Sequence, residues 1–182
     1  MDVSGPPDCG STLRRRCHSQ YGFVSTLGIM LWVTIAANAL FLTIFSLATR
    51  CGGAVFWLAV SAFFLNGWLA LDDAFLLHET VLPAFGVPQN TVLAAYASLA
   101  VIYLVTNLRP LLKGDVWLLI IGGLALVASL AVDTLFHSLD PRLVLLEDSA
   151  KFFGLFCWTA FHVSLFLKIA VTETQTRGQA TQ

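Results

Sequence analysis

Residues 71–79 read LDDAFLLHE, a short run that contains two aspartates, a histidine and a glutamate. The preceding residues, 51–71, contain no charged side chain. An apolar run of about 20 residues is long enough to cross the hydrocarbon core of a bilayer as a helix. The LDDAFLLHE stretch therefore marks the point at which a predicted membrane helix reaches the bilayer boundary.

The composition of the whole chain supports a membrane protein. Of the 182 residues, 57% are hydrophobic and only 12% are charged, whereas about one quarter of the residues in soluble domains are charged. The net charge is -1, and the basic residues are too scattered for a nucleic-acid surface. The four cysteines form no CxxC pair and no zinc-finger spacing.

Five long apolar segments predict an all-α, polytopic integral membrane protein, a bundle of about five transmembrane helices. All six prolines lie outside these segments. This is expected, because proline is disfavoured in the interior of a helix. The predicted helices cover residues 24–48, 54–79, 91–108, 116–137 and 144–171. They form a transmembrane domain, residues 21–172, between a polar N-terminal tail, 1–20, predicted to be disordered, and a polar C-terminal tail, 173–182.

In an up-and-down bundle, the end of the second helix, the end of the fourth and the start of the fifth lie on the same side of the membrane. Asp133 and His137 end the fourth predicted helix, and Glu147, Asp148 and Lys151 begin the fifth. We therefore expect one acidic, histidine-containing site at one membrane face.

This site has the side chains of a metal centre. Asp133 and His137 are four residues apart and so share one helix face, where a carboxylate and an imidazole can bind one ion. Carboxylates gathered in one place repel one another unless protons or cations neutralise them. The predicted cofactor is zinc or another divalent metal. The predicted ligands are Asp72, Asp73, His78, Glu79, Asp133 and His137.

The first functional hypothesis is a metal-dependent hydrolase that acts on membrane lipid. A bound Zn²⁺ would lower the pKa of its water to about 7. Glu147 or Asp148 is the candidate base, and Lys151 completes the predicted catalytic set. These ingredients resemble those of the alkaline ceramidases and their seven-helix relatives, which carry zinc ligands on several membrane helices. This chain departs from them in having five predicted helices and no His-xxx-His pair.

Two non-enzymatic hypotheses remain open. In one, the chain is a proton or cation transporter, because acidic and histidine side chains on facing helices are what a proton relay or ion path requires. In the other, it is a structural or accessory membrane subunit whose polar residues pair the helices. His162, about 16 Å deeper than Lys151, fits an interhelical hydrogen bond or a relay. Haem ligation by His78 and His137 is less consistent with the surrounding carboxylates.

The expected partners are membrane lipids, with a homo-oligomer as an open alternative and no nucleic acid. The expected location is a bacterial inner membrane or a plasma membrane. Orientation stays open, because the basic residues flanking the two membrane faces are nearly balanced. The Gly122-Gly123 pair in the fourth predicted helix indicates close packing against another helix.

Overall fold

The computed structural model describes the backbone of residues 9–136 and 141–180, and the side chains of residues 25–132 and 149–179. The described backbone is almost entirely helical and contains no strand. A π-helical turn, Leu77–Val81, follows the second helix. The α-helices are α1 (Cys9–Thr49), α2 (Gly53–Phe75), α3 (Leu82–Ala84), α4 (Gln89–Thr106), α5 (Leu108–Leu111), α6 (Val116–Phe136) and α7 (Pro141–Ala180).

Four segments are long and apolar enough to cross a membrane, and a fifth apolar helix is shorter within the described residues. The four are Ser25–Thr49, Gly53–Phe75, Gln89–Thr106 and Ser149–Gln179, and the shorter one is Val116–Val132. This confirms the predicted class, an all-α membrane bundle. The backbone of α1 is already helical at Cys9, and that of α7 continues to Ala180, so both helices extend beyond the predicted spans.

The core lies where α1, α2 and α7 meet. Small residues of α1 and α2, such as Ala39 and Ala62, pack with bulky residues of α7, such as Phe161 and Leu165. Each of these four side chains is almost wholly buried. Because lipid is as apolar as these side chains, the gain comes from close packing rather than from exclusion of water.

The contact between α6 and α7 is made through two glycines. A Cβ atom placed on Gly122 would lie 3.0 Å from the Gly154 carbonyl oxygen and 3.0 Å from the Trp158 backbone nitrogen. One placed on Gly154 would lie 2.9 Å from the backbone nitrogen of Leu126. The predicted close packing is therefore found at Gly122, whereas a Cβ on Gly123 would meet nothing within 4 Å.

The second helix differs from the single helix predicted over residues 54–79. It ends at Phe75, and Leu76 adopts a left-handed conformation with φ 51°. The backbone amide of His78 donates to the Asp72 side chain at 3.0 Å. The Asp72 carboxylate thus accepts an amide hydrogen bond at the point where the regular helix stops.

The least buried of the four spans is α4. Only 11% of its most apolar window is buried, against 50% for the last span. The described residues of α4 that are buried are Val92 and Tyr103. Two polar side chains of α4, Tyr96 and Tyr103, form hydrogen bonds to other elements of the bundle.

Candidate functional site

Asp72 lies at the end of α2 and binds three groups. One oxygen, Oδ1, accepts hydrogen bonds from the His78 backbone amide at 3.0 Å and from the Tyr96 hydroxyl at 2.9 Å. The other, Oδ2, lies 2.5 Å from Nδ1 of His78. Both Asp72 and His78 are buried. The carboxylate therefore joins α2, the π-helical turn and α4.

Asp73, the neighbouring carboxylate, points to a different set of partners. Its Oδ2 accepts a hydrogen bond from the indole nitrogen of Trp32 at 2.9 Å. Its Oδ1 forms a 3.1 Å ion pair with the ammonium group of Lys151. The Asp73 side chain is 13% exposed and that of Lys151 is 43% exposed. Asp73 thus links α1, α2 and α7.

The four oxygens of these two carboxylates all have a protein donor. A predicted ligand pair, Asp72 and Asp73, is therefore divided between two separate networks rather than directed at one point. Glu79, also predicted as a ligand, is half exposed, and its Oε1 lies 3.6 Å from Nε2 of His78. Within the described part of the chain, no group of three or more His, Cys, Asp or Glu side chains could hold a metal ion.

The hydrogen bond that the His78 imidazole donates to the Asp72 carboxylate raises the pKa of His78, and burial opposes this shift. The Glu79 carboxylate adds to the increase, and the Lys151 cation reduces it. The imidazole is thus held by a carboxylate at Nδ1. Its Nε2 is directed toward the Glu79 carboxylate at the bilayer boundary.

A second polar network lies deep in the bundle. Nδ1 of His162 is 2.8 Å from the Trp158 carbonyl oxygen, so this nitrogen carries the proton and donates. Nε2 is then the acceptor, and the Tyr103 hydroxyl donates to it at 2.8 Å. The Trp158 indole donates to Asn66 Oδ1 at 3.1 Å. Of the two roles left open for His162, an interhelical hydrogen bond is the one found.

Sequence reasoning missed the polar face of α4. Tyr96 and Tyr103 are seven residues apart and so lie on one face of α4, and Asn107 follows four residues later in the turn after the helix. Tyr96 binds Asp72 and Tyr103 binds His162, while Asn107 donates to Ser61 Oγ at 3.0 Å. This spacing, in an otherwise apolar segment, was the available signal.

Other predicted site residues lie where side chains are not described. Asp133 is in the backbone of α6, and Glu147 and Asp148 are in that of α7, while His137 falls outside the described residues. Their roles as ligands or catalytic groups stay predictions. Lys151 is described, and it contacts Asp73.

A further polar contact joins Asp115, the residue before α6, to α7. Asp115 Oδ2 accepts hydrogen bonds from Ser164 and from Lys168, each at 2.8 Å. These bonds, that from Lys168 first, lower the pKa of the Asp115 carboxyl group. Lys168 is 17 residues beyond Lys151, which corresponds to about 26 Å along the helix.

Fold and site together define a multi-pass helical membrane protein in which polar side chains pair across the buried faces of its helices. Residues 9–165 match the model of a family described as Domain of unknown function (DUF8692). Since this match covers most of the chain, the protein belongs to that family. No curated protein and no solved structure matches it.

Proposed function

We propose that the protein is a non-enzymatic structural or accessory membrane subunit. Within it, Asp72 and Asp73 fix the arrangement of the helices. One observation carries this proposal: all four carboxylate oxygens accept from donors within the described protein. The proposed setting is a bacterial inner membrane or a plasma membrane, to which helices of this length are suited.

The cost of burying charge near the bilayer supports this role. A carboxylate in or beside the hydrocarbon core is expensive unless it is paired. Asp73 is paired with a cation from α7 and a donor from α1, and Asp72 with donors from the π-helical turn and α4. Each carboxylate is satisfied only when its helices are in register, so the pair favours one arrangement of the bundle.

The test is a double-mutant cycle on the ion pair, with thermal unfolding measured in detergent. Asp73→Asn leaves Lys151 without this partner charge, and we expect a loss of about 1 kcal/mol, since the lysine is partly exposed. Asp73→Asn combined with Lys151→Met should cost less than the sum of the two single changes. Glu79→Gln, at a half-exposed position, is the matched control and should change stability little. Additive losses would contradict the structural role.

A second candidate is the metal-dependent hydrolase of membrane lipid, favoured by the geometry of His78. Metal-binding histidines commonly donate a hydrogen bond from their other ring N–H to a carboxylate. His78 contacts Asp72 through Nδ1, and its Nε2 lies 3.6 Å from Glu79. Asp133 and His137 would have to supply further ligands. Under this proposal Asp72 orients His78 instead of binding the metal itself.

Elemental analysis of the purified protein separates the two candidates. About one equivalent of zinc or another divalent metal, lost in His78→Gln and in His137→Ala, would support the hydrolase and justify assays on lipid esters and amides. Absence of metal from the wild type, together with a stability loss in Asp73→Asn, would support the structural subunit. Tyr103→Phe, which lies in the deeper network, serves as the control that should keep any bound metal.

A further inference from the structure

The turn that joins α4 to α6, residues 107–114, is fixed to the bundle at both ends. At its start, the side-chain amide of Asn107 donates to Ser61 Oγ of α2 at 3.0 Å. At its end, a Cβ placed on Gly114 would lie 2.7 Å from an aromatic ring of α7. Between these points the side chain of Leu111 is wholly buried in the core. The turn is therefore held in one orientation against α2 and α7.

Two basic side chains, Arg109 and Lys113, lie on the side of this turn that faces away from the core. The backbone amide of Leu112 donates to the Leu108 carbonyl oxygen at 3.0 Å, so the helical path of α5 continues beyond Leu111. Arg109 and Lys113 are four residues apart and share one side of this path. Each is two residues from Leu111, about 200° around the helix, and is therefore nearly opposite the buried leucine. Both are exposed.

Apolar side chains at the same end of the bundle indicate the depth of the turn. Leu108 and Leu112, which are also four residues apart, are 52% and 57% exposed. Trp57 and Trp117, near the starts of α2 and α6, are exposed as well. Exposed indoles at helix ends are typical of the membrane–water interface. The turn thus lies at the level of the lipid headgroups.

The positive charge of the turn is not neutralised by its acidic neighbour. Asp115 already accepts hydrogen bonds from Ser164 and Lys168 of α7, each at 2.8 Å. Within the part of the chain whose side chains are described, neither Arg109 nor Lys113 has an ion pair or a side-chain hydrogen bond. Two cations are therefore available at this surface, and a guanidinium group can bind a phosphate through two parallel hydrogen bonds.

We propose that this turn binds the headgroup of an anionic phospholipid in the leaflet around it, with the phosphate at Arg109 and Lys113. The acyl chains of this lipid lie beside Leu108 and Leu112. Basic residues next to membrane helices attract anionic headgroups, and each contributes about fivefold in affinity. Because the turn is fixed at both ends, little ordering is required when the lipid binds.

The test is a lipid titration of the full chain in detergent, followed by native mass spectrometry. We expect the first phosphatidylglycerol to bind at least about fivefold more tightly than the first phosphatidylcholine. Arg109→Gln and Lys113→Gln should each weaken phosphatidylglycerol binding by about fivefold, and the double variant by more. Binding of phosphatidylcholine should not change. Both positions are exposed, so the melting temperatures of the variants should equal that of the wild type.

Two controls separate this surface from net charge and from soluble anions. Arg50→Gln removes one exposed positive charge from the turn between α1 and α2, outside residues 107–114, and should keep the preference for phosphatidylglycerol. Inorganic phosphate at matched ionic strength should not displace the lipid. Equal affinity for the two lipids, an unchanged preference in the double variant, an equal loss in Arg50→Gln, or displacement by phosphate would each overturn the proposal.

Discussion

The contact between α6 and α7 and the attachment of α4 are built on opposite physical principles. At Gly122 and Gly154, α6 and α7 come so close that no side chain separates the backbone of one helix from the backbone of the other. The α4 helix instead reaches the bundle through Tyr96 and Tyr103, and through Asn107 in the turn that follows it, each of which makes a hydrogen bond to another element.

This difference predicts how each contact fails. Backbone atoms cannot move aside, so the glycine contact should tolerate no added volume. A hydrogen bond can be removed without a steric clash, and bonds between membrane helices average only about 0.6 kcal/mol and reach about 1.7. We therefore expect substitutions of the polar residues that attach α4 to lower the stability in small steps. Added volume at the glycine contact should instead separate α6 from α7 in a single step.

The largest effect is expected for Gly122→Leu. Its Cβ would lie 3.0 Å from backbone atoms of Gly154 and Trp158, so α6 and α7 must separate. We expect a loss of at least about 2 kcal/mol in the free energy of unfolding, measured by reversible unfolding in detergent and SDS.

Gly123→Leu provides the control, because a Cβ there meets nothing within 4 Å. Both substitutions replace a glycine of α6 by leucine and add the same volume. They differ only in the face of α6 on which the new side chain lies. Equal stabilities for the two variants would show that the glycine contact does not hold these helices together.

An intermediate effect is expected for Tyr103→Phe. The change keeps the ring and leaves Nε2 of His162 as a buried acceptor without its donor, at a cost of about 1–2 kcal/mol. Tyr96→Phe should cost less, because Asp72 Oδ1 keeps the bond from the His78 amide. Thermal unfolding and proteolysis at the flanks of α4 measure both. The reverse order would refute the assignment of Tyr103 as the stronger attachment.

The smallest effect is expected at Asp115, where α6 begins. Because its pKa is lowered in the folded protein, the stabilisation is present above the usual aspartate pKa and is lost as the pH falls through the lowered value. Melting temperatures measured below about pH 4 should therefore fall slightly more for the wild type than for Lys168→Met.

Lys113→Met removes an exposed charge that the described contacts do not link to Asp115, and it should behave like the wild type. Identical acid sensitivity in Lys168→Met and the wild type would count against the pairing of Asp115 with Lys168.

The sequence allowed the all-α membrane class to be predicted, because apolar length is a property of each segment alone. Gly122 could be predicted for a similar reason, since a glycine pair in a membrane helix permits close approach. The partners of Asp72 and Asp73 could not, because Tyr96 and Trp32 are reached only once the rotation of each helix is known. The break at Leu76 was also hidden, because LDDAFLLHE contains neither glycine nor proline.

The position of Asp73 has a consequence for biosynthesis. Its hydrogen-bond donor, Trp32, precedes it in the chain, but its cation, Lys151, belongs to α7 and is synthesised 78 residues later. Until α7 has been synthesised, the Trp32 indole is therefore available to the Asp73 carboxylate but the Lys151 cation is not. A chain that ends before α7 therefore has this acid at the end of α2 without the Lys151 cation.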